Sequence, residues 1–197
     1  MSPMVTAKEK YVFGHNGIFE PFYEIPRYQR QFAWTKDDAE ALWLDLMSVV
    51  DRNRRPNEWI PKSARYDEHF LGQMVFQSEE GAERLQVVDG QQRLISSSLL
   101  LAAIANFIST IEMDPEQKAN ITEWCLGCLH KPTPSGREFR LEFKDGYQTY
   151  EDLIDPSDPF ESHVEELKRK AKSRGGSVKA VDKRLIAVYL KFIERLE

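Results

Sequence analysis

A helix that is apolar over most of its circumference can only be the centre of a fold. The stretch from Gln91 to about Ile111 is such a segment, with Leu94, Ile95, Leu99, Leu100, Leu101, Ala102, Ala103, Ile104, Ala105, Phe107 and Ile108 spread around the axis instead of along one stripe. Its strongly apolar part, Leu99 to Ile108, is too short for a bilayer and carries Asn106. The segment therefore predicts a buried helix wrapped by the rest of a globular chain, with no membrane partner.

The surrounding elements are shorter. Gly14, Asn16 and Gly17 signal a turn, and Phe22 to Ile25 reads as a strand stopped by Pro26. Thr35 with Asp38 predicts a helix start of the capping-box kind. Ala39, Leu42, Trp43, Leu46, Val49 and Val50 give that helix, Lys36 to about Val50, one packed face. Arg52 to Tyr66 reads as a basic loop carrying Arg54, Arg55, Lys62 and Arg65. His69 to Gln77 and Arg84 to Val88 predict a strand pair across a polar turn. Asp114-Pro115-Glu116 opens a helix to about Leu129, broken by Pro132 and Pro134. Phe139 to Phe143 alternates as a half-exposed strand. Tyr147 to Ile154, Glu161 to about Ser173, and Val178 onward read as helices. The fold class is mixed α/β (α+β), a small sheet with surrounding helices. We expect one domain over 1–197, with a core at about 12–155 and a helical extension at 160–197. No stop signal precedes Glu197, so the chain is expected to continue.

Composition narrows the partners. A chain of 197 residues, 41% of them apolar, buries roughly 70% of its unfolded surface and needs no staples. A net charge of −5 excludes a uniformly basic nucleic-acid coat, so any DNA contact comes from a local patch. Two cysteines exclude a disulfide framework. Trp124-Cys125-Leu126-Gly127-Cys128-Leu129-His130 lies late in a helical pattern, the wrong context for a thioredoxin-like pair, and zinc would need a further ligand, for which His163 is the loose candidate. The thiols read as inert. Met1 to Glu9 has no apolar leader core, and the expected compartment is the cytoplasm.

Three segments carry candidate chemistry. In Val87-Val88-Asp89-Gly90-Gln91-Gln92-Arg93-Leu94 a strand hands over to a helix through glycine. Unpaired N–H groups and the helix dipole make such a start an anion site, and Arg93 adds a bidentate donor. Asp89 could hold a divalent metal or position a water, and Gln91 and Gln92 could contact a phosphate or base edge. Equally, Asp89 and Gln92 fit a capping box that only starts the helix. The second segment, Glu24 to Trp34, interleaves Tyr28, Phe32 and Trp34 with Arg27, Gln29, Arg30 and Gln31. That composition suits stacking and phosphate contact, or else a core with solvated arginines. The third, Lys168 to Arg174, holds Lys168, Arg169, Lys170, Lys172 and Arg174. It suits phosphate tracking, or a helix end whose cations complement the dipole before a Gly175-Gly176 stop.

Ile25-Pro26-x-Tyr28-Gln29-Arg30-x-Phe32-x-Trp34, Phe70-Leu71-Gly72 and Asp89-Gly90-Gln91-Gln92-Arg93 together resemble the N-terminal domain of the GmrSD type IV restriction family, which includes SspE-like sensors of phosphorothioated DNA. Phe139 to Phe143, Asp145, Tyr147, Ala187, Tyr189 and Phe192 look like the family's later landmarks, so the likeness runs from about Val12 to Leu196. The resemblance implies a ParB/sulfiredoxin-like fold. It also implies hydrolysis of a nucleoside triphosphate, GTP favoured, with Mg²⁺ on Asp89. Asp89, Gln91, Gln92 and Arg93 would be catalytic, and Gly90, Gln29 and Arg30 would help bind nucleotide. Modified double-stranded DNA would meet Pro26, Arg27, Tyr28, Gln29, Arg30, Gln31, Trp34, Lys168, Arg169 and Lys170. A phosphorothioate would favour apolar walls such as Pro26, Tyr28 and Trp34 beside Arg30. The family's HNH nuclease half is absent from this chain, so the resemblance implies sensing and turnover, with cutting left to that downstream domain. The alternative is a non-catalytic DNA-binding or protein-interaction module.

Overall fold

The computed structural model describes residues 10, 17–53, 70–79, 81–134, 136–143, 146–156, 158–173 and 178–197. Gly14, Asn16, Arg54, Arg55, Lys62, Arg65, His69, Asp145, Arg174 and the Gly175-Gly176 stop lie outside them. The described elements run β1 (Tyr23–Ile25), α1 (Lys36–Asn53), β2 (Val75–Gln77), β3 (Leu85–Asp89), α2 (Gln91–Ile108), α3 (Pro115–Leu129), β4 (His130–Thr133), β5 (Gly136–Phe139), β6 (Leu141–Phe143), α4 (Tyr147–Ile154), α5 (Phe160–Lys172) and α6 (Ala180–Leu196). This is the mixed α/β class the pattern predicts.

The main sheet has the order β2-β3-β1-β6. β1 runs parallel to both neighbours, with Tyr23 opposite Leu85 and Leu141. β2 is antiparallel to β3, as the predicted strand pair requires. The three parallel strands therefore end at one edge, at Ile25, Asp89 and Phe143. In open α/β sheets that edge is where ligands bind.

α2 is the buried centre, packed by α3, α4 and α6, and Leu94, Leu99, Ala102 and Ala103 are fully enclosed. Two of its polar side chains, Asn106 and Ser98, are met by partners in the core. Asn106 Nδ2 donates to Tyr189 Oη at 2.9 Å and to the Leu153 carbonyl at 3.2 Å. Ser98 Oγ accepts from Tyr150 Oη at 2.9 Å and donates to the Ile95 carbonyl at 2.7 Å. α6 shares this core through Leu185, Ile186, Tyr189 and Phe192. Asp114 caps α3 by accepting from the Gln117 N–H at 3.0 Å, with Pro115 in the first turn.

The structure corrects three expectations. The first strand of the hairpin covers only Val75–Gln77, since Gly72 at φ +96 takes residues 70–74 out of extended pairing. The Pro132–Pro134 break is a second, two-stranded sheet, β4–β5; Pro132 is tolerated because such a pair has free edges. Phe139 to Phe143 is two strands and not one. Arg140 divides them, donating from its backbone N–H to the Leu129 carbonyl and from Nε to the Gly127 carbonyl, each at 2.9 Å.

Candidate functional site

Gly90 sits between β3 and α2 in the left-handed region, at φ +87. No side chain caps the helix start, so the predicted capping box of Asp89 and Gln92 does not form. Asp89 is exposed, and the Gln92 amide turns elsewhere. A Cβ on residue 90 would lie 2.6 Å from Met74 Cγ and 3.2 Å from its Cα, so Met74 packs where only glycine allows it. That strap also fixes Arg93, whose Nη1 donates to the Gln73 carbonyl at 2.9 Å. A Cβ on Gly72 would come within 2.8 Å of the Arg93 guanidinium carbon. Arg93 has no carboxylate partner among the described residues.

The two sequence motifs interlock through amides. Gln92 Oε1 accepts from the N–H groups of Ala33 (2.8 Å) and Trp34 (3.2 Å), and its Nε2 donates to the Gln31 carbonyl at 3.4 Å. Gln91 Nε2 donates to the Arg30 carbonyl at 2.7 Å. From the other side, Gln29 Nε2 donates to the Val88 carbonyl at 2.9 Å. Gln91 and Gln92 are both 5% exposed. These glutamines stitch the loop after β1 to the first turn of α2, and both lone pairs of the Gln92 carbonyl oxygen are taken by backbone N–H groups.

The loop's aromatics divide. Phe32 is core, Trp34 is half-buried, and Tyr28 is 73% exposed. Arg27 and Arg30 are exposed, with no ion-pair partner among the described residues. Pro26 is buried and Gln31 is exposed. The start of α1 behaves as its sequence predicts, with Asp38 Oδ2 accepting from the Thr35 N–H (2.7 Å) and hydroxyl (2.8 Å).

Residues two apart on a helix project roughly 200° apart. Gln91 and Arg93 accordingly face different clefts. A cleft of about 220 Å³ is lined by Arg93, Trp34, Phe70, Leu71, Ser97 and the α1 residues Asp38 and Asp45. One of about 380 Å³ lies between Gln91, Arg27, Arg30, Pro26, Phe32 and Phe143, with Gln29 and Gln31 also in its wall. Trp34 thus lines the Arg93 cleft, and the apolar wall beside Arg30 is Phe32 and Phe143. Phe70, 79% exposed, Gly72 and Ser97 are site residues that periodicity alone does not single out. Phe70 and Gly72 carry a signal only through the motif likeness.

The third candidate segment is partly neutralised by its own acids. On α5, Lys168 pairs with Glu165 at 3.0 Å, Arg169 with Glu166 at 2.7 Å, and Lys170 lies 3.9 Å from Glu166. Cys125 and Cys128 are free thiols, and burial pushes Cys125 up to about 12 and Cys128 in the same direction. Burial lowers the pKa of His130 and of His163, which packs edge-on against Tyr189. Among the described residues no cluster of three or more His, Cys, Asp or Glu could hold a metal ion. No helix among them is long and apolar enough to cross a membrane.

A family model for the N-terminal domain of GmrSD restriction endonucleases matches residues 10–196. The chain belongs to that family. No curated protein matches it. Membership makes this GmrSD N-terminal domain part of a restriction system, with DNA as the partner such a system implies. The match runs through α6, in keeping with the GmrSD domain's single hydrophobic cluster from Ile18 to Ile193.

Proposed function

We propose that this GmrSD N-terminal domain hydrolyses a nucleoside triphosphate, GTP by preference, in response to modified DNA, and licenses a nuclease domain of the same system. The observation that carries this reading is the placement of Arg93. Its guanidinium lines an open cleft, beside an uncapped helix start, at the carboxyl edge of a parallel strand. Arg93 supplies a cation and the start of α2 its dipole, and both favour an anion at this end of the helix. Arg93 would hold phosphate oxygens and stabilise the charge that develops on them. Its hydrogen bond to Gln73 fixes one edge of the guanidinium, so the strap 70–74 aims the other.

Asp89 is exposed and without an ion-pair partner among the described residues, which suits it to Mg²⁺. That ion is commonly held by one or two carboxylates together with substrate phosphates. When bound it would neutralise phosphate charge. Asp89 would also orient the attacking water. Gln92 serves as a stitch and takes no direct part in this scheme.

DNA would meet the opposite flank, where Arg27 and Arg30 have no acid partner among the described residues and Tyr28 is open for stacking. A phosphorothioate sulfur is larger and less well hydrated than oxygen. It would gain from the apolar wall of Pro26, Phe32 and Phe143 beside the Arg30 cation.

A phosphate-release assay with GTP, ATP and CTP, with and without modified duplex, tests the reading. Removing a preorganised charge donor typically costs about 10²–10³ in rate. Arg93→Ala with unchanged turnover would refute the mechanism. The burial of Gln91 and Gln92 favours a second reading, a DNA-binding module without catalysis; parent protein that binds modified duplex but releases no phosphate would establish it.

A further inference from the structure

The two clefts differ in size and in what they leave unsatisfied. Ligand pockets generally begin near 300 Å³. The cleft beside Gln91, at about 380 Å³, is large enough to enclose a ligand, and the Arg93 cleft is smaller, at about 220 Å³. Gln91 lines the larger cleft, is 5% exposed, and has a buried Oε1 with no hydrogen-bond partner. Its Nε2 is committed to the Arg30 carbonyl at 2.7 Å, so turning the amide over would lose that bond. The orphan is thus an acceptor in a fixed orientation, and buried acceptors in folded proteins are rarely left unpaired.

Three requirements converge on one ligand class. The walls include Ile25, Pro26, Phe32, Ile95 and Phe143, which suit a flat apolar body. Gln91 asks for an N–H donor on its edge. Arg27 and Arg30 ask for negative charge at its outer end. Inorganic phosphate would answer only the arginines, and an aliphatic acid would bring no N–H. A nucleotide answers all three, as flipped bases do in enzymes that read them by edge hydrogen bonds between apolar side chains.

We propose that this cleft is a nucleobase pocket, in which Gln91 Oε1 accepts an N–H from the base edge while Arg27 and Arg30 take the attached phosphate. It rests on the reading of this sheet edge as a nucleotide- and DNA-handling face. The base comes either from a free nucleotide or from a nucleotide extruded from DNA.

The test varies the ligand, so the fold is untouched. The full chain is titrated calorimetrically with three matched pairs: IMP and N1-methyl-IMP, AMP and N6,N6-dimethyl-AMP, UMP and N3-methyl-UMP. In each pair alkylation removes every N–H from the base edge. The Gln91 side-chain amide is followed by ¹⁵N NMR, with inorganic phosphate as control. A second arm uses duplex carrying 2-aminopurine at one position, whose fluorescence rises on extrusion, and its N-dimethylated counterpart.

At least one parent nucleotide, or the extruded base, should move the Gln91 signal, and alkylation should weaken binding about tenfold or more. Phosphate alone should leave that signal in place. Equal affinity within every pair, or a Gln91 signal moved by no nucleotide and no duplex, overturns the pocket. Turnover is measured in parallel. Arg93-dependent hydrolysis with an unmoved Gln91 signal removes the pocket and keeps the proposed activity. Monophosphates seated against Gln91 with no hydrolysis of any triphosphate do the reverse.

Discussion

The loop after β1 and the helix α5 both present arginines and lysines to solvent, and they differ in what stands next to the charge. On α5 the acids Glu165 and Glu166 precede three of the bases by three or four residues, so Lys168, Arg169 and Lys170 share two carboxylates along one helical face and the run is partly neutralised. On the loop Arg27 and Arg30 have no acid in reach among the described residues, while Gln29, Gln91 and Gln92 hold the backbone beneath them. A count of positive charge ranks α5 first. Free charge on a fixed backbone ranks the loop first, and only such charge arrives already aimed at a phosphate.

The comparison fails first if the loop is not in fact rigid. Gly90→Val introduces a β-branched residue at φ +87 and drives a Cβ into Met74. Left-handed strain and overpacking each cost about 1–3 kcal/mol, so a loss of about 3 kcal/mol or more is expected in urea unfolding. The same change at Gly81, which is left-handed but has nothing within 4 Å, should cost only the backbone part. Gln92→Ala comes next. It strands the Ala33 and Trp34 N–H groups and the Gln31 carbonyl in a half-buried site, and about 2 kcal/mol should be lost. Amide exchange should rise over residues 29–34 and stay unchanged over α5.

A smaller effect separates α5 by pH. His163 is buried against Tyr189, and burial lowers its pKa in the folded chain below the ordinary 6.5. The folded state then binds fewer protons than the unfolded state as pH falls through and below 6.5. Stability is fully present above that value and declines toward the lowered folded pKa. The urea midpoint should fall between pH 7 and pH 5, and His163→Phe should reduce that fall. An unaltered pH dependence in His163→Phe would show that the imidazole is not held neutral by its surroundings.

Long periodic elements were legible in the sequence, and side-chain pairing was not. Asp114-Pro115 located the start of α3, and Tyr147–Ile154 was recovered in full, because caps and apolar spacing are local facts. The β4–β5 hairpin was hidden, since Pro132 and Pro134 signal a break whether or not strands flank it. Both halves of the site were visible as motifs. That the glutamines of one would bind the backbone of the other, 58 to 61 residues away, depends on the parallel pairing of β1 with β3. No local spacing encodes that. For the same reason the capping box was plausible in sequence. It is displaced in the structure because Gln92 gains three partners across the loop.

The smallest expected effect is the most discriminating for the comparison itself. Each phosphate neutralised by a Lys or Arg contributes about 0.9 to the slope of log affinity against log salt for duplex DNA. Arg27→Gln with Arg30→Gln should lower that slope by about 2, since neither guanidinium has an acid to give up among the described residues. Lys168→Gln, Arg169→Gln and Lys170→Gln together remove three charges that share two acids already in contact, and the slope should change by about 1 or less. The three-charge variant loses more formal charge and should show less. If instead it flattens the salt dependence more than the loop pair does, then Glu165 and Glu166 release their partners to DNA, and pairing on an exposed helix is no guide to which cations bind phosphate.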